Sequence, residues 1–203
     1  MEILTFPVTP FSTNCYVIKD SNEAIVIDPG EITLELTQSI ADCNVTMVFN
    51  THCHCDHSGG NAEAIKLTGA PLVCHAEDLP LLQSLCEQGR MFGVPFTASP
   101  DPDRFVEHGD IIKVGDAQFE VRHTPGHSPG HVVLVNEDII IAGDVLFAGS
   151  IGRTDLPGGS MAQLLNSITH QLLTLPDKTI VYCGHGPTTT IGEERVSNPF
   201  LVR

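Results

Sequence analysis

Thr51-His52-Cys53-His54-Cys55-Asp56-His57-Ser58-Gly59-Gly60 is the stretch on which the reading of this chain turns. It gathers three histidines and an aspartate into six positions. A strand-like apolar run over 45–50 precedes it, and a helix-like run over 61–68 follows. Alternate residues of an extended backbone face the same way, so His52 and His54 share one side. Cys53 and Cys55 then face the other. Asp56 and His57 come where the chain turns, and they reach a second position close to the first. Imidazoles and a carboxylate crowded at a strand-to-helix turn are the donor set of a divalent metal site. One metal with a full shell, or two neighbouring metals, both fit these residues. A solvated His-rich turn, the plain alternative, has no need of Thr51 before the run or of Ser58-Gly59-Gly60 after it.

The rest of the composition bounds the surroundings of that turn. At 203 residues the chain is long enough to bury a full core, and no linker, repeat or low-complexity tract interrupts it. One domain over 1–203 is therefore expected. The net charge of −15 repels nucleic acids and anionic headgroups, and the absence of Trp leaves little to stack on bases. No nucleic-acid or membrane partner is expected. Seven cysteines without framework spacing read as free thiols of a reducing compartment. With no signal-peptide pattern and no apolar run of membrane-spanning length, the cytoplasm is the expected location.

Read in order, the pattern predicts strands over 2–8, 14–18 and 24–27, an antiparallel start that ends at Asp28-Pro29-Gly30. A helix over 32–41 leads to the strand over 45–50 and the His-rich turn. Next come a helix over 61–68, a strand over 71–74, a helix over 76–89 and an irregular loop over 91–103. Strands over 111–114 and 118–123 flank Gly115-Asp116 as a hairpin. The second runs into Thr124-Pro125-Gly126-His127-Ser128-Pro129-Gly130-His131. Strands over 131–135 and 138–142 end at Gly143-Asp144. A loop over 149–160, a helix over 161–173, a strand over 178–182 ending at Cys183-Gly184-His185, and a helix over 191–197 complete the chain. Grouped strands with helices between and after them suggest an α/β (α+β) chain of two mixed sheets with helices outside, a four-layer αββα sandwich. A three-layer α/β fold is the alternative.

His127, Asp144 and His185 share one context: each directly follows a strand and sits beside glycine. With the first cluster they make five imidazoles and two carboxylates, enough for two metals with an open position each. The order and spacing of these segments over nearly the whole chain resemble the metallo-β-lactamase superfamily. That resemblance implies the αββα fold. It also implies that His52, His54 and His127 hold one metal, that Asp56, His57 and His185 hold the second, and that Asp144 bridges them.

Within that superfamily, Asp144-Val145-Leu146-Phe147, the loop Gly149-Ser150-Ile151-Gly152-Arg153-Thr154-Asp155 and the tail Gly184-His185-Gly186-Pro187-Thr188-Thr189 with Asn198-Pro199-Phe200 are similar to the short form of the glyoxalase II-like hydrolases. Metallo-β-lactamases proper lack the bridging aspartate, and flavodiiron proteins carry Glu in place of His54. The implied activity is hydrolysis of a hydroxyacylglutathione or similar hydroxyacyl thioester. Two divalent cations, Zn by preference with Fe or Mn as alternatives, would share a water and lower its pKa toward neutrality. Asp56 would orient that nucleophile, which makes Asp56 and Asp144 the catalytic candidates. Full-length glyoxalase II has an extra C-terminal helical domain that helps hold glutathione, and in the same family a Lys and a Tyr after the bridging aspartate contact the glutathione part. Here the chain stops at Arg203, Arg153 stands in for the Lys as a candidate for binding an anionic substrate group, and Asp155 falls near the Tyr. The Gly-Arg-Thr-Asp string also occurs in persulfide dioxygenases of one iron, which supply a second reading. A non-catalytic metal-binding protein is a third. Thr51, Ser58 and Asp28 are candidates to support the metal histidines, and His131 either supports the site or caps a strand. His75, His108, His123 and His170 read as structural or exposed.

Overall fold

A computed structural model of the chain describes residues 1–202. Strand β1 (Glu2–Val8) pairs antiparallel with β2 (Thr13–Asp20), which pairs antiparallel with β3 (Glu23–Ile27). This is the antiparallel start expected from the sequence. The sheet continues in parallel through β4 (Asn44–Phe49), β5 (Leu72–His75) and β6 (Arg104–Val106). The strands stand in sequence order across the six-stranded sheet. Parallel neighbours need crossover connections, and helices supply them. Helix α1 (Leu34–Ile40) joins β3 to β4, with the Thr33 hydroxyl capping its N-terminus at the Leu36 N–H. The one-turn helix α2 (Cys55–Ser58) and α3 (Asn61–Thr68) join β4 to β5. Val17, Val26 and Leu36 pack in one buried cluster, and Val48, Leu72 and Leu85 in another. Tyr16, Ile18, Ile25 and Ile27 alternate with the strand residues of the first set, Phe49 follows Val48 of the second, and all five are just as buried. The central strands are thus apolar on both faces, as parallel strands usually are.

The helix expected over 76–89 is interrupted. A single tight turn at Ala76–Asp78 leads to α4 (Leu79–Gln83), and α5 (Leu85–Phe92) follows at once. Ser84 between them leaves helical geometry, with φ −101° and ψ 11°. Helix α5 therefore extends into the stretch read as loop. Strand β6 was not expected at all: three residues, two of them exposed, are too few to show a period.

A second six-stranded sheet is ordered β14-β13-β10-β9-β8-β7. Its strands are β7 (Ile111–Val114), β8 (Ala117–His123), β9 (Val132–Val135), β10 (Ile139–Gly143), β13 (Ile180–Cys183) and β14 (Thr189–Thr190). A small hairpin of β11 (Leu146–Phe147) and β12 (Ser150–Ile151) leaves the end of β10. Helices α6 (Met161–Ser167) and α7 (Ile191–Ser197) pack Leu164 and Ile191 onto Val133, Ile140, Ala142 and Val181. The expected helix over 161–173 passes after Ser167 into a wider π turn at Ile168–Leu172.

By contact the described chain falls into two compact units. The first holds residues 1–106 and the hairpin tip 113–118, and the second holds 107–112 and residues from 119 onward. Asp20 and Glu23 accept hydrogen bonds from the backbone of that tip, at Gly115, Asp116 and Ala117. Within each unit the parallel strands end together. Residues following β3, β4 and β5 share one edge of the first sheet, and those following β10 and β13 share one edge of the second. Strand carboxyl ends are where open α/β sheets bind ligands.

Candidate metal centre

In the first unit the His-rich turn folds over the end of β4. His52, His54 and His57 are buried, with ring centroids 4.9 Å apart for His52 and His54 and 4.1 Å apart for His52 and His57. Asp56 enters on the one-turn helix, and its Oδ2 accepts a 2.8 Å hydrogen bond from the Thr13 hydroxyl of β2. Cys53 and Cys55 face away, into the apolar cluster with Val48, Leu72 and Leu82. Burial pushes the Cys55 thiol up to about 12, so it stays protonated near neutrality.

Asp28 organises the imidazoles. It follows β3 and is 1% exposed. Its Oδ1 accepts from the Thr51 N–H at 2.7 Å and its Oδ2 from the Thr51 hydroxyl at 2.6 Å. The same Oδ2 lies 3.0 Å from His57 Nδ1. With the Thr51 hydroxyl hydrogen committed to Asp28, Thr51 Oγ1 must accept from His52 Nδ1, which stands 3.1 Å away. Both rings are therefore protonated at Nδ1, and each Nε2 keeps its lone pair. Imidazoles that ligate metals are oriented in this way by partners on their other nitrogen. Ser58 Oγ donates to the His52 carbonyl at 3.3 Å. All three support candidates named from the sequence thus touch the histidines or their backbone.

Two residues that sequence reasoning missed hold the backbone of the turn. Asp78 is buried, and its Oδ2 accepts from the Cys53 N–H at 2.9 Å. From α5, Gln88 Oε1 accepts from the Cys55 N–H at 2.9 Å, and its Nε2 donates to the Cys53 carbonyl at 3.3 Å. Their partners lie 25 to 35 positions away, and no local pattern announces such a pairing. Close approach adds a further constraint: a Cβ on Gly30 would stand 1.8 Å from the Asp56 carbonyl oxygen, so only glycine fits there.

In the second unit His127, Asp144 and His185 follow β8, β10 and β13. Asp144 Oδ2 lies 3.5 Å from His127 Nε2 and 3.5 Å from His185 Nε2. His127 Nδ1 donates to the Arg153 carbonyl at 2.8 Å, which again leaves Nε2 as the basic nitrogen. In the first unit, Asp56 Oδ2 is likewise 3.5 Å from His57 Nε2. Donors bound at about 2.0–2.2 Å to one tetrahedral cation stand roughly 3.3–3.6 Å apart. The spacing, the basic Nε2 atoms and the all-nitrogen and oxygen donor set fit divalent metal.

Arg153 itself is exposed, and its guanidinium makes two hydrogen bonds to Asp155, at 2.7 and 2.8 Å. Its carbonyl, rather than its charge, touches a site residue. His131 is fully buried and receives the Asp144 N–H on Nε2 at 3.0 Å. His75, His108 and His123 are each bonded to backbone. Cys183, beside Gly184-His185, is buried with its thiol pushed up to about 12 by burial.

A mixed α/β chain whose strand ends carry these His and Asp clusters belongs to the metallo-beta-lactamase superfamily, whose sequence profile matches residues 8–185. This is a superfamily mostly of hydrolytic metalloenzymes, and the two sheets flanked by helices are its fold. Hydroxyacylglutathione hydrolase GloC of Haemophilus influenzae is 41% identical over 208 residues, which cover 99% of this chain and 98% of that protein. The crystal structure of BLEG-1 B3 metallo-beta-lactamase is 37% identical and superposes with a TM-score of 0.92 over 100% of both chains. That of TTHA1623 in a di-iron-bound form is 35% identical, with a TM-score of 0.89 over 98% of this chain and 100% of the other. No helix among the described residues is long and apolar enough to cross a membrane.

Proposed function

We propose that the protein is a metal-dependent thioester hydrolase acting on a hydroxyacylglutathione or a similar hydroxyacyl thioester. The observation that carries this reading is Asp144 Oδ2 standing 3.5 Å from both His127 Nε2 and His185 Nε2, the posture of a carboxylate shared by two sites. The resemblance to GloC supports the substrate class. In this reading His52, His54 and His127 would hold one divalent metal, Asp56, His57 and His185 would hold a second, and Asp144 would serve both. Zinc is the metal we assign, with iron or manganese as alternatives for the same donors. When bound, such cations supply Lewis acidity and bring water close to deprotonation at neutral pH.

The chain's own residues do the rest. Thr13 holds Asp56 so that its carboxyl orients the attacking water. Asp28 and the Arg153 carbonyl keep the His57 and His127 rings turned with Nε2 forward. No side-chain nucleophile is required, and the buried, protonated Cys183 is not one. Arg153 would meet an anionic group of the substrate by exchanging Asp155 for it. We place the working enzyme in the cytoplasm as one domain over 1–203, with a small-molecule thioester as its partner.

The test is hydrolysis of a panel of hydroxyacyl and simple acyl thioesters, lactones and a β-lactam by protein of known metal content. Oxygen uptake with a persulfide is measured in parallel. Thioester cleavage with two metals per chain, abolished by Asp144→Ala, is the expected result. One iron per chain with oxygen consumption would establish the dioxygenase instead. β-Lactam cleavage without thioester cleavage would move the protein toward the activity BLEG-1 is named for. Cleavage unchanged in Asp144→Ala would refute the role given to Asp144, and no turnover of any substrate at full metal content would leave only a metal-binding role.

A further inference from the structure

We propose that His131 is a positioning residue that sets the direction of Asp144 through a single peptide plane. The inference rests on Asp144 being a metal ligand. The plane between Gly143 and Asp144 is held at both ends. Its carbonyl, on Gly143, accepts from the Gly184 N–H at 2.7 Å. Its N–H, on Asp144, donates to His131 Nε2 at 3.0 Å. Gly143 adopts φ +48°, a conformation that leaves this plane little support from the strand before it. The two pins tie Asp144 to the residue preceding His185 on one side and to the loop of His127 on the other.

The tautomer of His131 follows from its partners. A backbone N–H only donates, so Nε2 must carry the lone pair and Nδ1 the proton. Nδ1 lies 3.1 Å from Thr124 Oγ1, which therefore accepts. The Thr124 hydroxyl in turn donates to the His131 carbonyl at 3.3 Å, while the Thr124 N–H bonds the same oxygen at 2.8 Å. Each hydrogen in this chain is thereby used, and both residues are fully buried. A ring that served only to fill space would need no such order. An apolar residue there would leave the Asp144 N–H buried without this acceptor and the plane held at the Gly143 carbonyl alone, so that Oδ2 could shift from its place 3.5 Å from both His127 and His185.

The experiment is a titration of the metal-stripped full-length protein with Zn²⁺ against a chromophoric chelator, together with the visible spectrum of the Co²⁺-loaded form. His131→Leu should lose about 10- to 100-fold in affinity, the usual cost of removing a partner behind a ligand. Its Co²⁺ spectrum should also change shape. His131→Gln, whose Oε1 reaches the place of Nε2, should recover most of both. Thr124→Val, which frees the ring but keeps it, should fall between the two and serves if His131→Leu does not fold. Parental affinity and spectrum in either Thr124→Val or His131→Leu would overturn the proposal, as would His131→Gln failing as badly as His131→Leu. Should the parent protein bind no Zn²⁺, the functional reading itself fails, a result distinct from any of these.

Discussion

Replacing Asp28 tests the reasoning behind the first cluster most directly. Its carboxyl accepts three hydrogen bonds, two from Thr51 and one from His57, at 2.7, 2.6 and 3.0 Å. Asp28→Ala strands a buried N–H, a hydroxyl and an imidazole N–H at once. Bonds to charged groups contribute about 1.5–3 kcal/mol each, but members of one network do not add. Three buried donors left without their acceptor, at about 1–3 kcal/mol each and discounted for that coupling, come to about 3–5 kcal/mol. Asp28 also sits at φ +52°, where Asp is tolerated better than Ala, which adds up to about 1 kcal/mol. Asp28→Asn keeps the backbone angle and the bond to the Thr51 N–H but turns an amide donor toward His57. It should cost about 1–3 kcal/mol. Urea unfolding of the metal-stripped protein measures these losses free of metal linkage. A Zn²⁺ titration beside it should show affinity reduced about 10- to 100-fold in Asp28→Ala. Asp28→Ala unfolding within about 1 kcal/mol of the parent, the cost of an ordinary substitution, would refute the view that this carboxyl holds the cluster together.

Other expectations follow from single contacts. Gln88→Leu removes the clamp on Cys53 and Cys55 and should cost about 2–3 kcal/mol in urea unfolding. Gln88→Glu, which keeps the acceptor for the Cys55 N–H, should cost less. The Arg153 guanidinium holds the Asp155 carboxyl down at about 2, from an ordinary value of 3.8. The pairing therefore contributes in full above about pH 4 and is lost as pH falls through about 2. Across neutral pH Asp155 competes with any substrate anion, so Asp155→Asn should lower KM for anionic thioesters with kcat unchanged. A neutral thioester should show no such change. Thiol labelling of the native protein at pH 8 should modify Cys43 and Cys86 quickly and the other five of the seven cysteines only on unfolding. Burial shields those five, and the four among them whose thiols are raised stay protonated. A fast reaction at Cys53 or Cys55 would contradict the packing described for the turn.

Much of this was written locally and could be read locally. His52, His54, Asp56 and His57 crowd into six positions, and strand ends announced by glycine marked His127, Asp144 and His185. Strand periods placed the antiparallel start and the hairpin at Gly115-Asp116. Asp28 was legible as a candidate because it closes a strand at a turn signal. What stayed hidden depends on partners distant in the chain or on backbone atoms. Asp78 and Gln88 look like ordinary helix residues until the turn lies over them. Arg153 drew attention for its charge, yet its side chain faces Asp155 and its carbonyl serves His127, and every residue type has a carbonyl. The break at Ser84 escaped because apolar spacing continues across it, while one residue's dihedral angles do not show in that pattern.

The last helix has a consequence for how the protein is made. Glu194 on α7 is buried, and its carboxyl accepts from the Gly149 N–H at 3.0 Å, from Thr189 Oγ1 at 2.6 Å and from Asn198 Nδ2 at 2.6 Å. Asn198 also donates to the Ser150 carbonyl. The loop beyond Asp144 is thus tied down by residues 45 or more positions later in the chain. Ribosomes add about 5–20 residues per second, so Gly149 waits roughly 2–9 s for its partner to be translated. Through that interval the nascent loop has neither Glu194 nor Asn198 to close on, and it can take its final form only once α7 and Asn198 have left the ribosome.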